Sequence, residues 1–564
     1  MKKRWMYMLA LCMIFALGMM NCNMHKVSAT VSDYEYEILQ DGTMSITRYI
    51  GNGTEVVIPD NIGGLKVTRI DGYAFSECKS LTSITIPDTV TSIGYSAFSK
   101  CNNLTSITIP SSVVSIEGVM LQECDKLTQI KVDGNNAVYN SKNDCNAIIE
   151  TATNKLIQGC STTQIPEDVT CIGDSSFYKC SNLTSIKIPD SVTNIDVYAF
   201  AGCSSLASVT LSNNLKLIDS EAFSGCESLT NITLPEKLES IGLDAFSGCK
   251  QLTEIRIPSS VTSITSSTFS YCENLKKLEV DSNNTIYNSS NGCNAIIETA
   301  ANALVQGCST TTIPDNVTRI KSSAFEGSGI KKVKIPAGVQ EINEAVFSDC
   351  KKLTSITIPK SVKTIENHAF YGCSKLKSVK IPNGVECIGA LAFYGCNKLT
   401  NITIPNSVEF MYSGAFDGSS LKSMTIKGNV IFPNSSARKF PTGNGNMVYY
   451  VVKGSSAEKY AKKVKGATVK YIKDTLKPSI YETGDSGYLD DGVCCMIQTN
   501  TVYNRSLNIR VLDNSGIKKV TLNGHKVKVS KAMKGFKIKK KGKYTLKVED
   551  KAGNKNVVKF TIKK

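Results

Sequence analysis

The amino-acid sequence predicts a solenoid of short parallel strands with irregular or helical backs, followed by a small antiparallel β-sandwich. Three observations predict this fold. Apolar residues recur with a period of about 23 residues, and this period gives way near residue 428 to segments of alternating polarity. The chain of 564 residues is too long for one ordinary core. A repeat array avoids this limit because each unit buries its apolar face on its neighbours.

Residues 1–29 are predicted to form a signal peptide. Lys2 and Arg4 belong to a basic start, Trp5 to Met20 are apolar, and Val27 and Ala29 are the small residues of a cleavage site. An uncleaved membrane anchor is the alternative, but the apolar run is short for a spanning helix. We therefore expect a secreted, extracellular or cell-surface chain without a transmembrane segment after cleavage.

The repeat occupies residues 66–428, and residues 30–65 are predicted to form an N-terminal cap that covers the first core face. In a typical unit, Ile107 and Ile109 alternate with polar residues, which predicts a short strand, and Pro110 ends it because proline lacks an N–H donor. Phe98 and Cys101 lie three residues apart, as on an inward-facing helical turn.

Two insertions of 33 residues interrupt this repeat. Pro110 and Pro166 are 56 residues apart, as are Pro258 and Pro314, so each gap holds one unit and one insertion. The insertions share the sequence Cys-Asn-Ala-Ile-Ile-Glu, and their corresponding residues lie 148 apart. This pattern indicates the duplication of a block of repeats.

The unit L-x-x-I-x-I/L with I-x-I-P and A-F-x-x-C resembles the BspA-like family of leucine-rich-repeat surface proteins. The resemblance covers about residues 34–428, and the insertion is similar to those of the family. It implies a leucine-rich-repeat solenoid and an exported protein that adheres to host proteins or to other cells.

The C-terminal part has two further segments. Residues 429–473 are predicted to form a strand–helix–strand cap, whose helix starts with a capping box of Ser455 and Glu458 and stops at Gly466. Residues 474–564 resemble small bacterial Ig-like β-sandwich modules, with turns at Asn523-Gly524 and between Asp550 and Asn554. The last turn could also contact calcium, although a hairpin explains the same residues without metal.

The charge is distributed unevenly. Residues 30–428 carry a net charge of −8, whereas residues 429–564 carry +20. A basic C-terminal part suits an anionic envelope polymer as partner. No nucleic-acid motif accompanies it, so we do not expect nucleic acid to be bound.

Eleven cysteines occupy the same position of the repeat. Disulfides between neighbouring units would be within geometric reach, but cysteine also packs well as a small buried hydrophobe. We favour a reduced, buried ladder, in which Cys160 and Cys308 take the position of the repeat leucine. The neighbouring pair Cys494-Cys495 has no assigned role. The eleven are Cys78, Cys101, Cys124, Cys180, Cys203, Cys226, Cys249, Cys272, Cys350, Cys373 and Cys396.

The sequence favours neither an enzyme nor a cofactor-dependent protein. Only His368 and His525 remain after the predicted cleavage, and neither has the neighbours that a catalytic triad or a zinc site needs. No glycine-rich phosphate loop is present. We therefore predict no catalytic residue, no metal and no cofactor.

Outward positions of the strands are the candidate ligand-binding residues. Most hold serine or threonine, but charged residues break the pattern in several units. These charges would select a ligand, or would merely keep a long sheet soluble. The candidates are Lys131, Lys187, Glu254, Arg256, Lys277, Glu279, Lys332, Lys334 and Lys380.

These observations predict adhesion or protein binding through the solenoid, with a protein of a host or of a neighbouring cell as partner. The first alternative is a cell-wall or carbohydrate-binding protein that is retained by its basic C-terminal module. A structural spacer and an enzyme carried on a repeat scaffold are the others.

Overall fold

The computed structural model describes residues 31–428, 430–432, 447–473, 479–482, 501–503, 507–512, 517–530, 536–551 and 553–563. The predicted signal peptide and Cys494-Cys495 lie outside the described residues. The chain divides into two compact units, residues 1–227 and 228–564. The domain boundaries given above stay predictions.

The first unit is built almost entirely from short strands, with 3₁₀ turns at Val31–Asp33 and Lys142–Asp144. Its strands are β1 (Tyr34–Ile38), β2 (Met44–Tyr49), β3 (Glu55–Val57), β4 (Asn61–Ile62), β5 (Leu65–Ile70), β6 (Ser83–Thr85), β7 (Ser92–Ile93), β8 (Ser106–Ile109), β9 (Ser115–Ile116), β10 (Gln129–Val132), β11 (Tyr139–Asn140), β12 (Ala147–Glu150), β13 (Lys155–Gly159), β14 (Cys171–Ile172), β15 (Ser185–Lys187), β16 (Asn194–Ile195), β17 (Ser208–Thr210) and β18 (Leu217–Ile218).

Each regular coil of this unit contributes one strand to each of two parallel ladders, whereas the insertion adds the antiparallel strands β11, β12 and β13. The three- or four-residue strands, called repeat strands below, come from the L-x-x-I-x-I segments and pair in the orders β3-β6-β8-β10 and β15-β17. The two-residue strands pair in a second series, as β7 does with β9 and β14 does with β16. The predicted parallel solenoid is therefore confirmed.

The back of each coil is irregular rather than helical. The amides of Ser96, Phe98 and Lys100 donate to carbonyl oxygens of the next coil at 2.8–3.0 Å, whereas helical amides would donate within their own coil. Ser96 and Lys100 have positive φ angles of 55° and 57°, which an α-helix does not contain. The expectation of a helical turn was wrong, and the irregular alternative holds.

A buried glutamine joins the insertion to the coil that precedes it. The Gln158 side chain is 3% exposed, and its oxygen accepts bonds from the amides of Met120 and Leu121, both at 3.3 Å. Its nitrogen donates to the carbonyl oxygens of Gly159 and Ser176, both at 3.2 Å. The side chain thus replaces backbone partners that a regular coil would supply.

The second unit contains the remaining strands, a 3₁₀ turn at Ser290–Gly292 and an α-helix, α1 (Ser456–Ala461). The strands are β19 (Ser240–Ile241), β20 (Glu254–Ile257), β21 (Ser263–Ile264), β22 (Lys277–Val280), β23 (Tyr287–Asn288), β24 (Ala295–Glu298), β25 (Ala303–Gly307), β26 (Arg319–Ile320), β27 (Lys332–Lys334), β28 (Glu341–Ile342), β29 (Ser355–Thr357), β30 (Thr364–Ile365), β31 (Cys387–Ile388), β32 (Asn401–Ile404), β33 (Phe410–Met411), β34 (Ser423–Ile426), β35 (Val448–Val452), β36 (Thr468–Ile472), β37 (Ser479–Glu482), β38 (Thr501–Tyr503), β39 (Leu507–Leu512), β40 (Ile517–Leu522), β41 (His525–Val527), β42 (Phe536–Ile538), β43 (Gly542–Asp550) and β44 (Lys555–Ile562).

The repeat core of this unit is a column of stacked aromatic rings. The ring centroids of Phe347 and Phe370 lie 5.4 Å apart, and those of Phe370 and Phe393 lie 5.0 Å apart. All three side chains are fully buried, between rows of repeat leucines and isoleucines. The phenylalanine of each regular coil therefore gives these successive coils the same contact with their neighbours.

The predicted N-cap Ser455 is confirmed at α1, while the reciprocal bond of Glu458 goes to the residue before the cap. The Ser455 hydroxyl accepts a bond from the Glu458 amide at 3.1 Å, and the Glu458 carboxylate accepts one from the Gly454 amide. The helix ends at Ala461, before the predicted stop at Gly466. Within the part of the chain that the structure describes, no helix has the length and apolarity needed to span a bilayer.

The C-terminal strands form two sheets around one small core. One sheet has the order β37-β39-β42 and the other β38-β44-β43-β40-β41, antiparallel except between β38 and β44. Buried side chains of both sheets, such as Ile509 and Phe560, share one cluster. The predicted small sandwich is confirmed, while its Ig-like assignment stays a prediction.

Candidate functional site: the outward face of the repeat strands

Exposure alternates along the repeat strands as the sequence predicts. In β20, Glu254 and Arg256 are exposed while Ile255 and Ile257 are buried. The inward residues belong to the core, so only the outward ones can contact a ligand.

The nine candidate residues fall at separate places. Glu254, Arg256, Lys277 and Glu279 lie on the paired strands β20 and β22, and together they are called the charged cluster. The structure does not bring the other five candidates into this cluster. Lys131 lies on β10, Lys187 on β15, and Lys332 and Lys334 on β27, whereas Lys380 lies outside any strand.

Opposite charges face each other across the two strands of the charged cluster. Glu254 is the register partner of Lys277, and Arg256 is the register partner of Glu279. Such cross-strand pairs stabilise a sheet modestly. The Lys277 ammonium also lies 3.0 Å from the Glu279 carboxylate, so positive and negative groups alternate over a small area.

Arg256 is held by two carboxylates that the sequence analysis did not single out. Its guanidinium lies 2.7 Å from the Glu236 carboxylate and also contacts Asp281. The Asn283 amide, and then the Arg256 guanidinium, lower the pKa of Asp281, so this carboxylate stays ionised at neutral pH. Glu236 and Asp281 stand 20 residues before and 25 residues after Arg256. A search for opposite charges about one repeat away would have found both.

A cavity of about 350 Å³ opens beside the charged cluster. Besides the four members of the cluster, Asn231 and Thr233 of the preceding coil line it. Ile232, Leu234 and Ile255 complete the lining, so its walls offer amide and hydroxyl groups and charges of both signs beside some apolar surface. This combination suits polar side chains of a protein ligand better than a purely anionic or apolar ligand.

The remaining candidates differ in their surroundings. Lys187 lies 3.6 Å from Glu167, and Lys334 lies 3.9 Å from Asp315. All four side chains are at least 74% exposed, so these pairs contribute little to stability. Among the described residues, Lys131, Lys332 and Lys380 have no carboxylate oxygen within 4 Å and present open positive charge.

Most repeat cysteines are buried in the core, whereas Cys78, Cys124 and Cys180 are half-buried. The thiols of Cys101 and Cys203 donate to the carbonyl oxygens of Phe75 and Phe177, at 3.1 and 3.0 Å. Burial raises the pKa of Cys203 well above its usual value, and a thiol that stays protonated is a poor nucleophile. Within the described ranges no disulfide joins any of the 17 cysteines, and Cys160 and Cys308 are buried as predicted.

Neither histidine lies in an arrangement typical of a catalytic group. His368 is partly exposed, with its Nδ1 4.0 Å from the Glu344 carboxylate and its ring against Tyr371. His525 is exposed at the start of β41.

Comparison with known proteins places this geometry in a family. A family model described as "BspA type Leucine rich repeat region (6 copies)" matches residues 49–169, 147–276 and 295–422, which is more than half of the chain. No curated protein matches the sequence.

Several solved structures are similar to the chain. A leucine rich cell surface protein from Faecalibacterium prausnitzii A2-165 is 27% identical, covering 73% of this chain and 96% of that protein, with a TM-score of 0.43. The pneumococcal vaccine antigen PcpA is 21% identical, with coverages of 78% and 96% and a TM-score of 0.41. A leucine-rich repeat protein from Bacteroides ovatus ATCC 8483 is 22% identical, with coverages of 79% and 100% and a TM-score of 0.37.

Proposed function

Because the chain belongs to the BspA-type leucine-rich-repeat family, we propose that it is an exported, non-enzymatic protein that binds another protein at or near a cell surface. The binding surface is the outward face of the repeat strands, with the charged cluster as its centre. The partner is a protein of a host or of a neighbouring cell. The N-terminal segment with the features of a signal peptide supports export.

The observation that carries the proposal is the alternation of charge around the cavity. A surface that only keeps a sheet soluble needs charges, but it needs no cavity and no fixed positions for them. Here Arg256 is fixed between Glu236 and Asp281, and Lys277 is fixed by Glu279. Side chains that are already ordered lose less entropy when a partner binds.

The arrangement also indicates what kind of contact is made. Charged groups that remain partly exposed contribute more to the rate and specificity of association than to affinity. The mature chain has no tryptophan, and tyrosine and tryptophan are the side chains that most often form the apolar anchors of tight interfaces. We therefore expect moderate, salt-dependent affinity that several copies of the protein on one surface would strengthen.

The test is surface plasmon resonance of the full mature chain against a panel of purified extracellular-matrix proteins and envelope proteins. We expect at least one protein to bind, and the double variant Arg256→Gln/Lys277→Gln to weaken that binding about tenfold. The matched control is Lys363→Gln/Lys321→Gln, because both lysines form ion pairs, exposed at Lys363 and half-buried at Lys321, outside the repeat strands.

Equal weakening by the two double variants would contradict the proposed site. Absence of binding to every protein of the panel, together with binding to a glycan array, would favour the carbohydrate-binding alternative instead.

A further inference from the structure

The outward face of the β40-β43-β44 sheet in the C-terminal module carries a regular array of lysines. Strand alternation buries Leu546 and Val548 in the module core and leaves Lys543 and Lys547 exposed on the opposite side. On the neighbouring strand β44, Val558 and Phe560 are buried in the same way while Lys559 is exposed.

The strand register places four of these lysines together. Lys526 of β41 is the partner of Thr521, and Thr521 is in turn the partner of Lys547. On β44, Lys559 is the partner of Thr545, which lies between Lys543 and Lys547 on β43. Lys526, Lys543, Lys547 and Lys559 are called the lysine face below.

The spacing of the lysine face follows from ordinary sheet dimensions. Neighbouring strands are about 4.8 Å apart and residues advance about 3.4 Å along a strand. The Cα atoms of Lys547 and Lys559 are therefore about 8 Å apart, those of Lys526 and Lys547 about 10 Å, and those of Lys543 and Lys547 about 14 Å. Four ammonium groups share an area that one extended polymer chain can cross.

Within the described strands of this sheet, only Glu549 and Asp550 carry negative charge. Residues 517–564 contain 17 lysines, no arginine and only two acidic residues. Asp550 is buried and accepts two bonds from Asn554, so it serves the turn. Glu549 lies at one end of the face and is already engaged by Lys518 at 2.8 Å and by Lys555 at 3.7 Å.

The composition of the face distinguishes among anionic partners. Within the described residues it presents no aromatic ring, and binding of single-stranded nucleic acid relies on base stacking on such rings. Among the described side chains on this side of the sheet, Val557 is the one exposed apolar group, whereas membrane-bound surfaces insert several apolar groups into the lipid. Lysine acts as a point charge on phosphate, without the paired geometry that arginine imposes on carboxylates.

We propose that the lysine face binds a linear phosphodiester polymer of a cell envelope and retains the protein there. A polymer with one negative charge per repeating unit can pair with an array of lysine ammonium groups. It can do so in many alignments, because neither partner requires a single register. Binding is then strongly salt-dependent, because each ammonium group releases counterions from the polymer. This surface is separate from the repeat strands, so the proposal does not depend on the proposed protein-binding function.

The experiment measures binding of the full mature chain to purified poly(glycerol phosphate) by isothermal titration calorimetry at low and at moderate salt. The triple variant Lys526→Gln/Lys543→Gln/Lys547→Gln tests the face. The triple variant Lys539→Gln/Lys540→Gln/Lys541→Gln is the matched control, because it removes the same charge from exposed positions between β42 and β43.

We expect the first variant to bind at least about tenfold more weakly and with a smaller salt dependence, and the control to lose less than about threefold. The variant Lys526→Arg/Lys543→Arg/Lys547→Arg should keep wild-type binding, because it keeps the charges. Should the glutamine variant fold poorly, Lys547→Gln alone should still weaken binding two- to threefold.

The proposal is wrong if the two glutamine triple variants lose affinity equally, since binding would then follow net charge alone. It is also wrong if the wild-type chain does not bind the polymer at low salt. Tighter binding to phosphatidylglycerol vesicles than to the polymer would replace it with a membrane-binding role.

Discussion

Replacing Gln158 by leucine tests how the insertion is joined to the solenoid. Leucine keeps much of the volume but leaves the amides of Met120 and Leu121 without the oxygen that accepts their bonds at 3.3 Å. A buried amide without a partner costs about 1–3 kcal/mol. The carbonyl oxygen of Ser176 also accepts a bond from the Gly159 amide, so losing the bond from Gln158 costs less free energy there. We therefore expect a local destabilisation of about 2 kcal/mol or more.

The assay is hydrogen exchange followed by mass spectrometry, because a repeat array opens locally and a global unfolding free energy is poorly defined for it. Peptides that contain Met120 and Leu121 should exchange at least about 30-fold faster in Gln158→Leu. The exposed Gln164→Leu is the control and should leave them unchanged. Gln306 occupies the same position in the second insertion, where its oxygen accepts a bond from the Phe269 amide at 3.5 Å, so Gln306→Leu should speed exchange of that amide by a smaller factor. Exchange that differs less than about threefold from wild type would refute the reasoning.

Three further predictions concern the core and two titratable sites. Phe370→Ala should destabilise its coils by about 3–5 kcal/mol, because it opens a cavity between two stacked rings, and hydrogen exchange should show this loss in the adjacent coils. Native Cys203 should resist iodoacetamide at pH 8. Burial raises the pKa of the half-buried Cys78 to about 11, so Cys78 should react before Cys203, and faster as pH rises. Peptide mapping measures both reactions. Burial and the neighbouring Glu386 raise the pKa of Glu409 to about 7, above its unfolded value near 4.5. Its contribution to stability is therefore complete below pH 4.5 and lost as pH rises to 7, so Glu409→Gln should be the more stable protein at pH 8 in thermal denaturation.

Each of these predictions has its own control. Tyr394→Ala removes a partly exposed ring and should cost much less than Phe370→Ala. A disulfide-linked Cys203 peptide would contradict a reduced ladder, and labelling as fast as that of Cys78 would contradict its burial. An equal difference between Glu409→Gln and wild type at pH 4 and at pH 8 would show that Glu409 does not titrate between these values.

The repeat strands could be predicted because side-chain alternation is a local property. Ile107 and Ile109 alternate with polar residues whatever the rest of the chain does, and the structure places β8 there. The backs could not be predicted in the same way. The spacing of Ala97, Phe98 and Cys101 fits a helical turn as well as it fits consecutive tight turns. Hydrogen bonds to a coil 23 residues away decide between them, and no local pattern shows these bonds.

The candidate site was predictable where it depends on strand alternation, and not where it depends on contacts between coils. The outward direction of Arg256 follows from its strand, but its clamp by Glu236 and Asp281 depends on which residues of neighbouring coils come within reach. Gln158 was missed because a single polar residue between apolar ones gives no pattern. Its counterpart Gln306, placed 148 residues later and also followed by glycine, was the available signal.

The same alternation explains why one scaffold can carry different binding surfaces. Inward positions of the repeat strands lie in close-packed rows, so a change there disturbs the neighbouring coil. Outward positions face solvent and contact register partners or charged residues of nearby coils rather than the core: Thr357 and Lys334 occupy the same outward row of paired strands. Exchanging threonine for lysine in such a row costs almost no core packing but changes what the face attracts. The C-terminal sheet follows this rule as well, with threonine and lysine alternating in the row of Thr521 and Lys547. Binding specificity in this chain is therefore expected to reside in outward residues that break the serine and threonine pattern, and exchanging these residues should redirect binding without loss of the fold.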